Sequence, residues 1–205
     1  MDTAIISKLK LKLAEPLPGR TAQLRMAPTF RPDIYKTEHS LKAGVLILLF
    51  PKPVELYTVF MKRPKYEGVH SDQISFPGGK FEKFDQSLTD TAIRETNEEI
   101  GVPAKNIQVI GTLSPLFIPV SEIEVFPTVG FCSLKPVFKI DPSEVDYLIE
   151  ESLDNLLNPE IKRIKPYSGE KFTGQIPYYD VKGNHVWGAT AMILSEFLEI
   201  IHSVL

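Results

Sequence analysis

Three glutamates within five residues, Glu95, Glu98 and Glu99, lie in the run FPGGKFEKFDQSLTDTAIRETNEEIGV from Phe76 to Val102, and they constrain the chain more than any other feature. Helical positions three and four apart share one face, so the three carboxylates project together. Each like-charge pair at that spacing costs roughly 0.2–0.5 kcal/mol. Arg94 supplies one compensating charge. A hard divalent cation would supply the rest, because oxygen-only ligands suit Mg²⁺ or Mn²⁺, and Mg²⁺ keeps several waters and binds alongside substrate phosphates. An acidic run by itself reads as a solvated face, and its surroundings decide against that here. Leu88, Ala92, Ile93, Thr96 and Ile100 form an apolar or small stripe on the same helix, with Glu95 and Glu99 at its edge, so the helix is packed. Gly101 follows where a helix end favours a residue tolerant of positive φ. Upstream, Gly78 and Gly79 after Pro77 allow backbone to approach a ligand.

The segment resembles the Nudix box, G-x5-E-x7-R-E-U-x-E-E-x-G-U, where U is a bulky apolar residue. Gly79, Arg94, Glu95, Thr96, Glu98, Glu99, Gly101 and Val102 fall on its positions, with Thr96 standing at an apolar one. The first acid is Asp85 rather than Glu, and eight residues separate it from Arg94. Both departures are similar to the coenzyme A pyrophosphatase branch of the Nudix hydrolases. The preceding stretch VFMKRPKYEGVHSDQISFPGG, from Val59 to Gly79, resembles the upstream signature of that branch at Arg63, His70, Gln73 and the Phe76–Gly79 run. Gly68 stands where the branch usually has Arg, and Asp72 where it usually has Gly. IPYYDVKGNHVWGATAMILSEFL also looks like the C-terminal part of these proteins.

The resemblance implies the Nudix fold, an α/β architecture with a mixed β-sheet sandwiched between α-helices. It implies metal-dependent hydrolysis of the diphosphate linkage of coenzyme A or acyl-CoA, giving 3′,5′-ADP and (acyl-)4′-phosphopantetheine. Mg²⁺ or Mn²⁺ would be held by Glu95 and Glu99, with Glu98 and the Gly79 carbonyl nearby. Arg94 would orient a box carboxylate, and Glu98 is a candidate general base. Arg31, Lys62, Arg63, Lys65 and Lys80 are candidate phosphate contacts, Arg63 foremost, and His70, Gly78 and Gly79 are further substrate-contact candidates. Two other readings remain: a Nudix hydrolase of ADP-ribose, a nucleotide sugar or a damaged nucleoside triphosphate, and a non-catalytic Nudix ligand sensor. The clustered carboxylates argue against the sensor.

Composition adds bounds. A chain of 205 residues with 43% apolar and 24% charged residues is an ordinary globular one with room for a sizeable core. A net charge of −3 gives no overall attraction to nucleic acid or an anionic membrane. The single cysteine, Cys132, allows no internal disulfide and reads as a core residue in a strand. The longest apolar run, GVLILLF at 44–50, is too short to span a bilayer and fits a buried strand. No signal-peptide pattern opens the chain, and Ser203-Val204-Leu205 is not a peroxisomal address, so the cytoplasm is expected.

Along the chain we expect a short amphipathic helix at 3–13 and a proline-containing extension to about residue 40, then a Nudix domain over 41–205. Within that domain the patterns predict strands near 43–50 and 55–62, the box helix near 87–100, and strands in IQVIGTLS and EIEVFPTVGFCSL separated by PLFIPVS. Val145, Leu148, Ile149, Leu153 and Leu156 predict a helix over Ser143–Leu157 with Ser143 as N-cap. Glu144 then reads as a helix-dipole residue, in preference to a catalytic acid recruited from beyond the box. Glu122 and Glu124 alternate on a strand where either could approach a metal. IPYYDV predicts a last strand, and the segment from Trp187 onward a long terminal helix. Trp187 reads as a core or dimer contact in preference to a base-stacking one, which leaves a homodimer open. His185 and His202 show no liganding pattern.

Overall fold

The computed structural model describes residues 2–32, 36–38, 40–53, 55–67, 70–168 and 173–205. Its centre is β1 (Leu41–Pro51), whose unbroken apolar run is explained by what covers it. Ala43, Ile47 and Leu49 point into one buried cluster, and Leu46, Leu48 and Phe50 into another on the opposite face. Alternate residues of a strand face opposite ways, so a strand buried on both sides carries no polar alternation.

Around β1 lie β2 (Leu56–Lys62), β3 (Ile74–Ser75), β4 (Gly78–Lys80), β5 (Gln108–Thr112), β6 (Leu116–Ile118), β7 (Ile123–Phe131) and β8 (Tyr147–Ser152). β1 runs parallel to β7 from Leu41 to Leu49 and antiparallel to β2 and β4, so the sheet is mixed. On the β2 side β1 changes partner: residues 43–45 pair with β4 and residues 49–51 with β2. At the change-over the Leu46 N–H donates to the Pro77 carbonyl at 2.8 Å. This arrangement inserts the glycine pair into the sheet.

The box helix, α3 (Leu88–Ile100), packs on the face of Leu46 and Leu48 through Ala92 and Ile100. Ser87 caps it by accepting from the Asp90 N–H at 3.1 Å, and Gly101 closes it with φ 72°. The other face is covered by α1 (Asp2–Leu13) and α5 (Gly188–His202), and α2 (Gly19–Leu24) packs on α5. The sheet therefore lies between helices. β9 (Lys162–Ser168), β10 (Thr173–Val181) and β11 (Asn184–Trp187) form a second, antiparallel sheet.

The segment before residue 41 shares the main core. Leu9 and Met26 are fully buried, and buried Glu196 of α5 accepts from the Gly19 N–H (3.1 Å), the Gln23 amide (2.8 Å) and the Ser114 N–H (3.2 Å). Three donors satisfy that carboxylate and fasten α2 to α5. The proline-containing stretch thus holds a helix that composition does not reveal, and the PLFIPVS connection contains β6.

One element differs from expectation in kind. Residues 143–157 are not a helix: Tyr147–Ser152 is β8, paired along β2, and only Leu153–Leu157 is helical (α4). Ile149 joins one buried cluster and Leu148 packs against the other. Burial on both faces produces consecutive apolar residues that imitate helical spacing, and the β2 edge decides between the two. Cys132 is buried as expected, and burial pushes its thiol up to about 11.

Candidate active site

The two glycines shape the site. Gly78 has φ 149°, a backbone state that favours glycine, and a Cβ there would meet the Gly44 carbonyl oxygen at 2.3 Å. Its N–H donates to Glu99 Oε2 at 2.8 Å. At Gly79 a Cβ would come within 2.4 Å of the Glu95 carboxyl carbon. A side chain at Gly79 would therefore occupy the space that Glu95 needs.

Glu99 is not at the edge of the helix stripe. It is 1% exposed, inside the packed face with Thr91, Ala92, Thr96 and Ile100. Its second oxygen lies 3.6 Å from the Arg63 guanidinium. Burial nevertheless outweighs the arginine and the Gly78 N–H, and pushes its carboxyl up to about 8. Glu95 is also raised, by burial first, with Arg94 opposing. Oxygens of Glu95, Glu99 and Glu144 lie within 4.8 Å of one another.

Glu144 reaches this cluster because no helix starts at 143. After β7 the chain returns past the end of α3, where Lys139 N–H donates to the Ile100 carbonyl (3.0 Å) and Asp141 N–H to the Glu99 carbonyl (2.9 Å). A turn then closes with Glu144 N–H on the Asp141 carbonyl at 3.1 Å. The helix-dipole reading of Glu144 falls with the helix, and its carboxylate lies with the box acids instead. Glu98 does not join this trio: it is half exposed and ion-paired with Arg94 at 2.9 Å. Glu124 pairs with Lys36 at 2.7 Å, and neither it nor Glu122 belongs to the cluster.

Arg94 occupies the other side of the helix face. Its guanidinium forks onto Asp85, Nε to Oδ1 at 2.9 Å and Nη2 to Oδ2 at 3.0 Å, and also reaches Glu95 at 2.8 Å and the Lys80 carbonyl at 3.2 Å. Arg94 holds Asp85 far below the usual carboxylate range, with the Glu82 N–H and Thr91 hydroxyl adding to this, while Asp85 raises the Arg94 pKa in turn. The one-residue shift of the first acid therefore does not disturb its pairing. Thr96, at the box position that usually holds a bulky apolar residue, is fully buried and bonds its hydroxyl to the Ala92 carbonyl at 2.6 Å.

Three carboxylates, Glu99 buried, Glu95 half-buried and Glu144 exposed, offset only in part by Arg63 and Arg94, fit a hard divalent cation by their chemistry. Beside the glycine pair lies a cleft of about 740 Å³. Arg63, His70, Gly78, Gly79 and Lys80 line it, so the glycines contact both cleft and carboxylates. Arg63 Nη2 also donates to the Gly78 carbonyl at 3.1 Å. His70 approaches Gln73 at 3.4 Å, and burial lowers its pKa. Lys62 is committed to Asp72 at 2.7 Å, and Lys65 is not among the cleft-lining residues. Asp72 has φ 61°, a left-handed backbone state that glycine adopts most readily. Gly68 lies outside the described residues.

Sequence reasoning missed much of the cleft wall. Phe30 stacks on Tyr167 with centroids 4.9 Å apart, and Tyr167 lies 6.3 Å from Trp187, which ends β11 and faces the cleft. These residues are far apart in sequence and have no shared spacing, so only the fold joins them.

The family model for the NUDIX domain matches residues 40–164. The chain is 34% identical over 178 residues to an uncharacterized Nudix hydrolase, NudL, of Pectobacterium atrosepticum, covering 85% of this chain and 88% of that one. It is also 34% identical over 172 residues to the mitochondrial Nudix hydrolase 15 of Arabidopsis thaliana, covering 80% of this chain and 58% of that longer protein. Among solved structures, RenU, a Nudix hydrolase of M. smegmatis, superposes with a TM-score of 0.53 at 13% identity, over 87% of this chain and 95% of that one. A MutT/nudix family protein of Enterococcus faecalis gives 0.51 at 16% identity, over 83% and 66%. The chain belongs to the Nudix family and is a Nudix hydrolase, an enzyme acting on nucleoside diphosphate derivatives.

Proposed function

We propose that the chain hydrolyses the diphosphate linkage of coenzyme A or an acyl-CoA to 3′,5′-ADP and (acyl-)4′-phosphopantetheine, with Mg²⁺ or Mn²⁺ as the cation. The observation that carries this reading is the cleft, large and mostly apolar, whose cationic side chains lie beside the glycine pair that abuts the carboxylates. A volume of about 740 Å³ is on the scale of sites that enclose a sizeable organic ligand, and apolar walls suit a pantetheine arm better than a sugar. The upstream signature supports the same branch through Arg63, His70 and Gln73.

Glu95, Glu99 and Glu144 would hold the cation, with the Gly79 carbonyl and Glu98 as further candidates. When bound, such a cation neutralises phosphate oxygens and lowers the pKa of a bound water. Arg94 fixes the Glu95 carboxylate through its own fork on Asp85. Arg63 and Lys80 hold the diphosphate oxygens. Glu98 and Glu144, the two more exposed acids, are the candidates to take the proton from the attacking water.

The test is kcat/KM for coenzyme A, ADP-ribose and a nucleotide sugar under one metal condition, with products separated by chromatography. Coenzyme A should be preferred and should yield 3′,5′-ADP. Faster turnover of ADP-ribose or the sugar nucleotide would sink the substrate assignment and leave the hydrolase.

A further inference from the structure

The cleft contains a cation that the carboxylate cluster does not use. Arg31 lies in the segment before the matched NUDIX region, and its half-buried side chain lines the cleft. Its guanidinium donates to the Phe117 carbonyl, and among the described residues it has no carboxylate partner. A guanidinium carries five N–H donors in a planar fork, so most of that capacity remains unspent. Burial lowers its pKa and Arg20 adds repulsion, so the charge sits there at a cost. Four residues beyond Phe117, Ser121 lines the same cleft, with its hydroxyl oxygen closed to solvent. Beside them the stacked rings of Phe30 and Tyr167 offer a flat apolar face.

We propose that Arg31 forms a second anion subsite in the cleft, which takes a phosphate monoester carried by the adenosine end of the substrate. A guanidinium with no carboxylate partner among the described residues, beside aromatic faces, matches a phosphorylated ribose with its base. Arg63 is the poorer candidate for that phosphate, since the Gly78 carbonyl and Glu99 already engage it. Identifying the group as the 3′-phosphate of coenzyme A rests on the proposed function; the subsite itself rests on the cleft.

The experiment compares 3′,5′-ADP with 5′-AMP, which differ only in that phosphate, by calorimetric titration of the full chain in metal-free buffer. The unmodified protein should bind 3′,5′-ADP more tightly by tenfold to a hundredfold, as charge-assisted hydrogen bonds to phosphate do. Arg31→Ala should remove most of that preference while leaving 5′-AMP binding nearly unchanged. Arg31→Lys should keep part of it. Equal affinity for the two nucleotides in the unmodified protein would overturn the proposal. So would a preference that survives in a folded Arg31→Ala, or equal weakening of both ligands in Arg31→Lys. A protein that turns over ADP-ribose faster than coenzyme A would remove the substrate reading, and the nucleotide comparison would still decide the subsite.

Discussion

Two groups of carboxylates meet on α3, and the protein treats them in opposite ways. Asp85 receives a full guanidinium fork from Arg94, a hydroxyl from Thr91 (2.8 Å) and the Glu82 N–H (2.9 Å). Its charge is neutralised within the chain, and its pKa falls. Glu99, more deeply placed, receives one N–H and an arginine at 3.6 Å, and its pKa rises to about 8. Glu95 and Glu144 crowd it with further negative charge. Both acids are buried, so burial alone does not separate them; the supply of donors does. The Asp85 end is complete in the folded chain and acts as a brace. The Glu99 end reaches its best electrostatic state only with an outside cation. A metalloenzyme needs both, because a loosely held ligand set positions nothing.

The largest effect should come from Glu99→Gln. Turnover at saturating Mg²⁺ should fall on the order of a thousandfold, about 4 kcal/mol of barrier. The metal-free protein should not lose stability, because the amide removes a buried charge. The sign follows from the raised pKa: in EDTA the unmodified protein keeps this group's stabilisation below about pH 4 and loses it as the pH rises toward 8. Glu99→Gln should flatten that slope, and thermal melts across pH in EDTA check it. A variant with ordinary turnover would break the contrast at once.

Asp85→Asn tests the brace. Loss of one partner leaves Arg94 short of its main counter-ion, and we expect about 2 kcal/mol of destabilisation and a Tm lowered by roughly 4–8 °C. Here the pKa is depressed, so the sign reverses. The contribution of Asp85 is present above about pH 4 and is lost as the pH falls through its folded value. The gap between variant and unmodified protein should therefore narrow in acid, which denaturant titrations at pH 7 and pH 3 would measure. A gap that widened in acid would mean that the pairing with Arg94 is not what Asp85 contributes.

This contrast was half visible in the sequence. The box acids, Arg94 and the glycine pair were legible because a helix turn and a tight loop are local, and spacing alone puts those groups together. The depth of Glu99 was not, since the stripe shows that the helix packs without showing how far its edge sinks. Glu144 was misplaced with the Ser143–Leu157 helix. Its true position depends on Asp141 bonding the end of α3, a contact between chain segments about forty residues apart that leaves no periodic trace. The layered α/β arrangement was readable from alternating elements, whereas β9, β11 and α2 were not, being short or half exposed.

Glu144→Gln sharpens the comparison on the cation side. The residue is exposed, so the Tm should stay within about 0.5 kcal/mol equivalent of the unmodified protein. Turnover should fall roughly tenfold to a hundredfold, with a higher Mg²⁺ requirement. Metal-titrated kinetics give both quantities. An unchanged metal dependence would confine the ligand set to the residues of α3 itself.

The smallest effect should come from Thr96→Val, one turn from both groups and charged with neither. The Thr96 hydroxyl is buried but bonds only to the Ala92 carbonyl, an acceptor that the helix already supplies with a backbone N–H. Removing it leaves no donor or acceptor stranded, and valine fills nearly the same volume at the position where the box usually carries an apolar residue. β-branching is kept, so the rotamer cost in the helix hardly changes. We expect a stability change below about 1 kcal/mol and unchanged kcat, Mg²⁺ requirement and pH profile. Melts and metal-titrated kinetics alongside Glu99→Gln and Asp85→Asn supply the measurement. If Thr96→Val shifted the metal requirement as Glu144→Gln should, packing of the helix rather than the supply of donors would be setting the difference between the two carboxylate groups.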